Sequence, residues 1–282
     1  MKLDLELLTS GYGLVEGPRT DADGALWFTD ARRDALYCRD LDGTIHTVIS
    51  DRPSIGGLVL HAEGGFVMSG PNVSHWREGA TRLLLDHEGL GTFNDLHTDA
   101  QGRVYVGAIL ADISDLRAEP DPPGEMYRIE LDGSVTRLYG GVGISNGIGF
   151  SPDGGQLYHV DSSSRGLWVH DVDQGGNLSG RRHIGRAAFE RGIPDGMCVD
   201  VQGNLWVAHV SGRRVVKLDP NGAFLDELPV PARWVTSCAF GGADWEDLYV
   251  VSADNTDDES LGGCIWRCRP GVAGHPTPLA RV

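Results

Sequence analysis

Asp21-Ala-Asp-Gly-Ala-Leu-Trp27-Phe-Thr is the phrase on which the fold turns, because the chain repeats it. Asp99-Ala-Gln-Gly-Arg-Val-Tyr105-Val-Gly and Asp200-Val-Gln-Gly-Asn-Leu-Trp206-Val-Ala follow the same pattern. Ser151-Pro-Asp-Gly-Gly-Gln-Leu-Tyr158-His-Val carries it with one insertion. Weaker copies are His61-Ala-Glu-Gly-Gly-Phe66-Val-Met and Gly241-Gly-Ala-Asp-Trp-Glu-Asp-Leu-Tyr249-Val-Val. Each reads as a short strand, a turn with glycine or aspartate, and a strand bearing an aromatic. The aromatics at 27, 66, 105, 158, 206 and 249 are 39, 39, 53, 48 and 43 residues apart. Six copies in 282 residues average about 47 each, the size of one four-stranded propeller blade.

A further strand and turn lies about 10 residues beyond most of these aromatics, as in Ala35-Leu-Tyr-Cys-Arg-Asp-Leu-Asp-Gly43. No segment has the apolar period of a long amphipathic helix. A lone blade cannot bury both faces, so six must pack in a ring. The sequence therefore predicts an all-β, six-bladed β-propeller of four-stranded antiparallel blades, one domain over residues 1–282. The alternating segment Leu3-Asp-Leu-Glu-Leu7 is expected to supply the outer strand of the last blade and close the ring.

The 40 glycines are spread along the chain rather than pooled, as many tight turns require. A net charge of −16 repels phosphate backbones and anionic headgroups, which argues against nucleic-acid and membrane partners. The five cysteines show no CxxC spacing, the N-terminus has no signal-like apolar core, and no run reaches membrane-span length. Reduced thiols in a cytoplasmic protein are the expectation.

The repeat also aligns positions. Eight residues before the turn glycine of successive copies lie Glu16, Gly56, Asn94, Asn146 and Asp195, and the sixth copy gives Thr236. Equivalent positions of a pseudo-sixfold ring share one circle around its axis. Asn and Asp at strand starts also serve as turn formers, so no one of them is diagnostic. Four oxygen-bearing side chains at one register point instead to a single hard divalent cation at the channel mouth.

These residues sit in phrases that resemble the senescence marker protein/gluconolactonase/luciferin-regenerating family. The phrases are Val15-Glu-Gly-Pro18, Phe93-Asn-Asp95, Ser145-Asn-Gly147, Ile193-Pro-Asp-Gly-Met-Cys198, Gly212-Arg-Arg-Val-Val-Lys-Leu-Asp-Pro220 and Thr236-Ser-Cys-Ala-Phe-Gly-Gly242. The resemblance implies a six-bladed propeller with one divalent metal and, as the commonest activity, lactone hydrolysis. It puts metal ligands on Glu16, Asn146 and Asp195, and Asn94 and Asp95 near metal and substrate. Sugar-lactone members carry arginine and glycine where this chain has Thr92 and Leu96. Loss of a multi-donor guanidinium favours a less hydroxylated lactone or ester.

The implied reaction is metal-dependent opening of a small-molecule lactone, with Asp195 as ligand and general base. An all-oxygen shell favours Ca2+ over Zn2+, Mn2+ or Mg2+. Aryl-ester or phosphotriester hydrolysis, or a non-catalytic calcium-binding propeller, are the alternatives. The segment 108–124, with Asp112, Asp115 and Glu119, is expected to form a loop over the mouth. Gly143-Ile-Ser-Asn-Gly147 formally matches the nucleophile elbow, but a strand-and-turn phrase follows it where that elbow needs a helix. His97, His159 and His209 lie in or after inner-strand phrases, where packing and pocket lining compete.

Overall fold

The computed structural model describes residues 3–87, 91–111 and 121–282. Its strands form six four-stranded antiparallel sheets arranged as the blades of a propeller. The innermost strands are Val15–Thr20, Leu58–Leu60, Thr92–Thr98, Ser145–Phe150, Ile193–Val199 and Val235–Gly241. Among the described residues the helical content is two short 3-10 turns, Arg186–Phe189 and Glu259–Leu261. No helix among them is long and apolar enough to cross a membrane.

Packing follows from the ring. Among the described residues, six apolar clusters occupy the six seams between adjacent blades. Leu36 and Phe66 meet across the first seam, Val67 and Val106 across the second, and Met126 and Ile148 across the third. Val169 and Val207, Val215 and Val250, and Val251 and Phe28 fill the remaining three. Each sheet thus buries both faces, which explains strands such as Val104–Ile109 and Leu205–Val210 that are buried at every residue.

Ring closure differs in detail from the expectation. The outer strand of the sixth blade is Glu6–Tyr12, paired with Gly263–Cys268 from Glu6 opposite Arg267 to Tyr12 opposite Gly263. Leu3 and Leu5 pack against the sixth-blade core instead. The pairing runs later in sequence because this strand must reach the first inner strand, which starts at Val15. The five cysteines are free thiols.

The repeated phrase has a local cause. The aspartate six residues before the aromatic collects donors from its own turn. The Asp200 carboxylate accepts from the backbone N–H groups of Gln202 and Asn204 and from the indole N–H of Trp206 at 3.1 Å. Asp21 accepts the indole N–H of Trp27 at 2.8 Å, and Asp99 the hydroxyl of Tyr105 at 3.3 Å. One carboxylate therefore fixes the turn and orients the ring that fills the seam.

The C-terminal segment crosses one end of the channel. His275 N–H donates to Val199 O at 2.8 Å, Thr98 Oγ1 to Pro278 O, and Ala280 N–H to Leu60 O at 2.8 Å. These partners end the inner strands, so this segment covers the end opposite the strand starts.

Asp200 is fully buried and also faces Lys217 Nζ at 3.3 Å. Asp200→Ala leaves several buried donors unpaired and should cost about 3 kcal/mol. Urea unfolding measures it; the same change at exposed Asp132 should shift the midpoint little.

Candidate functional site

A cavity of about 420 Å³ opens at the strand-start end of the channel. Glu16, Gly56, Asn94, Asn146, Asp195 and Thr236 all line it. One residue from each blade thus reaches one space from segments spanning 221 positions, counted from 16 to 236. A local distortion aims these side chains. The strand register shifts between Glu16 and Arg19, Phe93 and Leu96, Ser145 and Ile148, Pro194 and Met197, and Val235 and Ser237. Such bulges re-aim a side chain out of the pleat, here towards the axis. The blade that supplies glycine makes room: a Cβ at Gly56 would collide with Asn94 Oδ1.

The amides are held rigidly. Asn94 Nδ2 donates to Asn146 Oδ1 and to Ser145 O, both at 2.8 Å. Asn146 Nδ2 donates to Ser162 Oγ at 2.9 Å, which donates to Pro194 O at 2.6 Å. Thr236 Oγ1 donates to Val15 O and ties the last inner strand to the first.

Three carboxylates crowd this floor. Burial, then Asp195 and Asp95, push Glu16 well above the ordinary carboxylate range. Burial and then Asp95 do the same to Asp195. Asp95 is also raised by burial, an effect that Arg19 opposes. Asp95 does not line the cavity. It is 7 % exposed and lies 3.8 Å from the Arg19 guanidinium, which lines a small closed space of about 30 Å³ at the far end. Glu16 and Asp195 have no cationic partner among the described residues. Two carboxylates, Asp195 buried and Glu16 half-buried, with amide oxygens beside them therefore call for neutralisation, by protons or by a hard cation. The donor set fits a divalent ion held by oxygen.

Above this floor lies a second ring, of which the sequence reading singled out Thr92 alone. Two residues before each floor position stand Leu14, Ser54, Thr92, Ile144, Ile193 and Trp234, and all six line the cavity. Alternation of side chains along a strand puts i and i−2 on one side, so the signal was present in the repeat. Buried or half-buried carboxylates hold the backbone of this ring. Asp30 accepts from Leu14 N–H at 2.9 Å, Asp161 from Ile144 N–H at 3.3 Å and Asp254 from Trp234 N–H at 2.8 Å. Ala31, Ile109, Ser162 and Val210, four residues beyond the repeat aromatics, complete the wall. The expected loop acids Asp112, Asp115 and Glu119 lie outside the described residues.

Ser145 of the elbow-like motif bonds His159 Nε2 at 2.7 Å, and His159 Nδ1 bonds the Tyr139 hydroxyl at 2.7 Å. This resembles a nucleophile–base pair, yet Ser145 is fully buried and its hydroxyl packs over Gly107 of the neighbouring blade. Its hydroxyl has no face on the cavity, and its role is to join two blades. His97 and His209 are likewise packed rather than at the mouth: His97 lies against Phe150 and His209 against Phe189.

The fold and its ring of inward oxygens define a propeller with a polar-floored, single-mouthed cavity. The SMP-30/Gluconolactonase/LRE-like region model matches residues 14–254. Regucalcin of Danio rerio is 39% identical over 237 residues, covering 79% of this chain and 79% of that protein. A pentonolactonase of Haloferax volcanii is 31% identical over 280 residues, covering 90% of this chain and 92% of its own. The crystal structure of a calcium-binding protein, regucalcin from Agrobacterium tumefaciens, superposes with a TM-score of 0.86 at 23% identity, covering 99% and 98% of the two chains. The chain belongs to the SMP-30/gluconolactonase/LRE-like family.

Burial, with Arg19 beside His97, pushes that imidazole down to about 3. Burial does the same to His159 and His209. An unfolded chain binds these protons near pH 6.5, whereas the folded chain stays neutral to about pH 3. Stability should therefore fall as pH drops below about 6.5. Urea unfolding across this range tests it, and His209→Gln should flatten the slope.

Proposed function

We propose that this protein hydrolyses a lactone, using a divalent cation held by Glu16, Asn146 and Asp195, with Asn94 in or just outside the ligand set. The supporting observation is the carboxylate pair of half-buried Glu16 and buried Asp195, which lines a cavity of about 420 Å³ without a cationic partner among the described residues. The pentonolactonase relative, which this chain matches over 90% of its length, supports the reaction class. The calcium-binding regucalcin supports Ca2+ as the ion, with Zn2+, Mn2+ and Mg2+ as competitors. Free thiols and the acidic surface agree with a cytoplasmic protein acting on small molecules.

When bound, the ion supplies Lewis acidity towards a carbonyl and a water. Asp195 accepts one proton from the attacking water as its oxygen bonds the carbonyl carbon. The acyl–oxygen bond of the ring then breaks, and the proton passes to the departing ring oxygen, which gives a hydroxy acid. Glu16 serves as a ligand only. The Asn94 amide, fixed by Ser145 O and Asn146, orients the water or the carbonyl. The apolar second ring keeps bulk water from the reacting carbon.

Asp195→Asn keeps an oxygen for the ion and removes the base. Turnover should fall about 100- to 10,000-fold, while Ca2+ affinity by calorimetry falls much less. Near-native turnover would remove Asp195 as the base. Lactone-silent protein that turns over aryl esters or phosphotriesters would move the reaction to those substrates. Ca2+ binding without any turnover would make this a calcium-binding propeller.

The ion itself has a separate readout. Raised carboxylates stabilise the metal-free fold at low pH and lose that contribution as pH rises through their folded values. A cation binds the ionised form, so the gain in Tm given by Ca2+ should grow from acid to neutral pH. A pH-independent gain would count against Glu16 and Asp195 as ligands.

A further inference from the structure

We infer that the substrate is an apolar lactone, a ring carrying a hydrocarbon substituent, rather than a polyhydroxylated aldonolactone. The inference rests on the lactonase reading and names its substrate class. Above the oxygen floor the wall is Leu14, Ile109, Ile144, Ile193, Val210 and Trp234. No Arg, Lys or His lines this cavity among the described residues.

Most polar groups facing the cavity are already committed, with the exposed Ser54 hydroxyl as the exception. Thr92 Oγ1 donates to Gly70 O at 3.1 Å, and Thr236 Oγ1 donates to Val15 O. The Asn94 amide donates both hydrogens, to Ser145 O and Asn146 Oδ1, while Asn146 Nδ2 donates to Ser162 Oγ and Ser162 Oγ to Pro194 O. The two carboxylates that remain are acceptors in need of a cation. A polyol entering here would exchange several water hydrogen bonds for contact with isoleucine, leucine and valine, a loss that the Ser54 hydroxyl repays only in small part among the described residues. A hydrocarbon substituent gains from the same contacts. The Arg32 guanidinium lies over Trp234, 5.8 Å from the ring centroid, but Arg32 is not among the residues that line the cavity.

The geometry divides the ligand in two. Its ester end meets the floor of Glu16, Asn94, Asn146 and Asp195. Its substituent lies along the second ring, whose backbone Asp30, Asp161 and Asp254 hold in place. The wall thus acts as a specificity surface by refusing hydroxyls as much as by accepting carbon.

The test compares kcat/KM of the Ca2+-loaded protein on γ-lactones with alkyl chains of increasing length and on glucono-1,5-lactone. Each methylene should raise kcat/KM about threefold until the cavity is filled. The aldonolactone should fall at least about 100-fold below the best alkyl lactone. Thr92→Arg should narrow that gap by about tenfold or more, since it adds donors to the wall. A preference for the aldonolactone, or no dependence on chain length, overturns the inference while the lactonase reading stands. Calorimetry with 2-alkylcyclopentanones, which have a carbonyl and chain but no ester to cleave, separates the two ideas. If no lactone turns over yet these ketones bind more tightly with each methylene, the apolar wall stands and the lactonase reading fails. If no lactone turns over and the ketones do not bind, both fail.

Discussion

Closure of the ring is the constraint on which the rest of the structure depends. A single blade leaves two apolar faces, and only a closed ring of blades, here six, covers them all. The join is made between the two ends of the chain, where Glu6–Tyr12 pairs with Gly263–Cys268. Thr236 Oγ1 adds a hydrogen bond from the sixth inner strand to Val15 O of the first. The seam between these blades holds Phe28, Val251 and Ile265. Without this seam the six strand starts would not converge, and Glu16 would have no reason to lie near Asp195.

Convergence creates an electrostatic cost. Three carboxylates, Glu16, Asp95 and Asp195, are brought close under one floor, and burial raises all three. The fold offsets part of this with Arg19 beneath Asp95. It leaves Glu16 and Asp195 facing the cavity, where, on the proposed function, a cation would replace protons. The neighbouring amides supply neutral oxygen, which adds ligation without further negative charge. The same low-dielectric surroundings that raise the carboxylates strengthen any interaction made there with a substrate.

Polar floor and apolar wall are two registers of one repeat. The floor takes the bulged position of each inner strand, and the wall takes the residue two positions earlier. Hydroxyls in these rings turn back to backbone carbonyls, as Thr92 does to Gly70 O. The C-terminal segment crosses the other end of the channel through Thr98, Val199 and Leu60. Access to the floor is then through the wall, so on the proposed function substrate selection and catalysis would share one path.

The repeat phrase determined the blade count by itself, because each Asp–aromatic turn is a local unit whose hydrogen bonds lie within seven residues. The register of Glu16, Asn94, Asn146 and Asp195 was legible for the same reason: equal offsets from equal turns become equal positions on a ring. Pseudo-symmetry also encoded the wall of Leu14, Ile144, Ile193 and Trp234. Long-range contacts were not legible. Asp95 reads in the sequence as a residue close to the site, and only packing shows its partner below the floor, Arg19, 76 positions away. Ser145 matches a nucleophile motif only formally, which the following strand-and-turn phrase already argued against; the seam with the neighbouring blade adds that its hydroxyl is enclosed against His159 and Gly107. The closing strand shifted from Leu3–Leu7 to Glu6–Tyr12 because its register is set by Gly263–Cys268, at the far end of the chain. Local turns fix which residues share a ring; which donors remain free, and which charges lack partners, is decided only where distant strands meet.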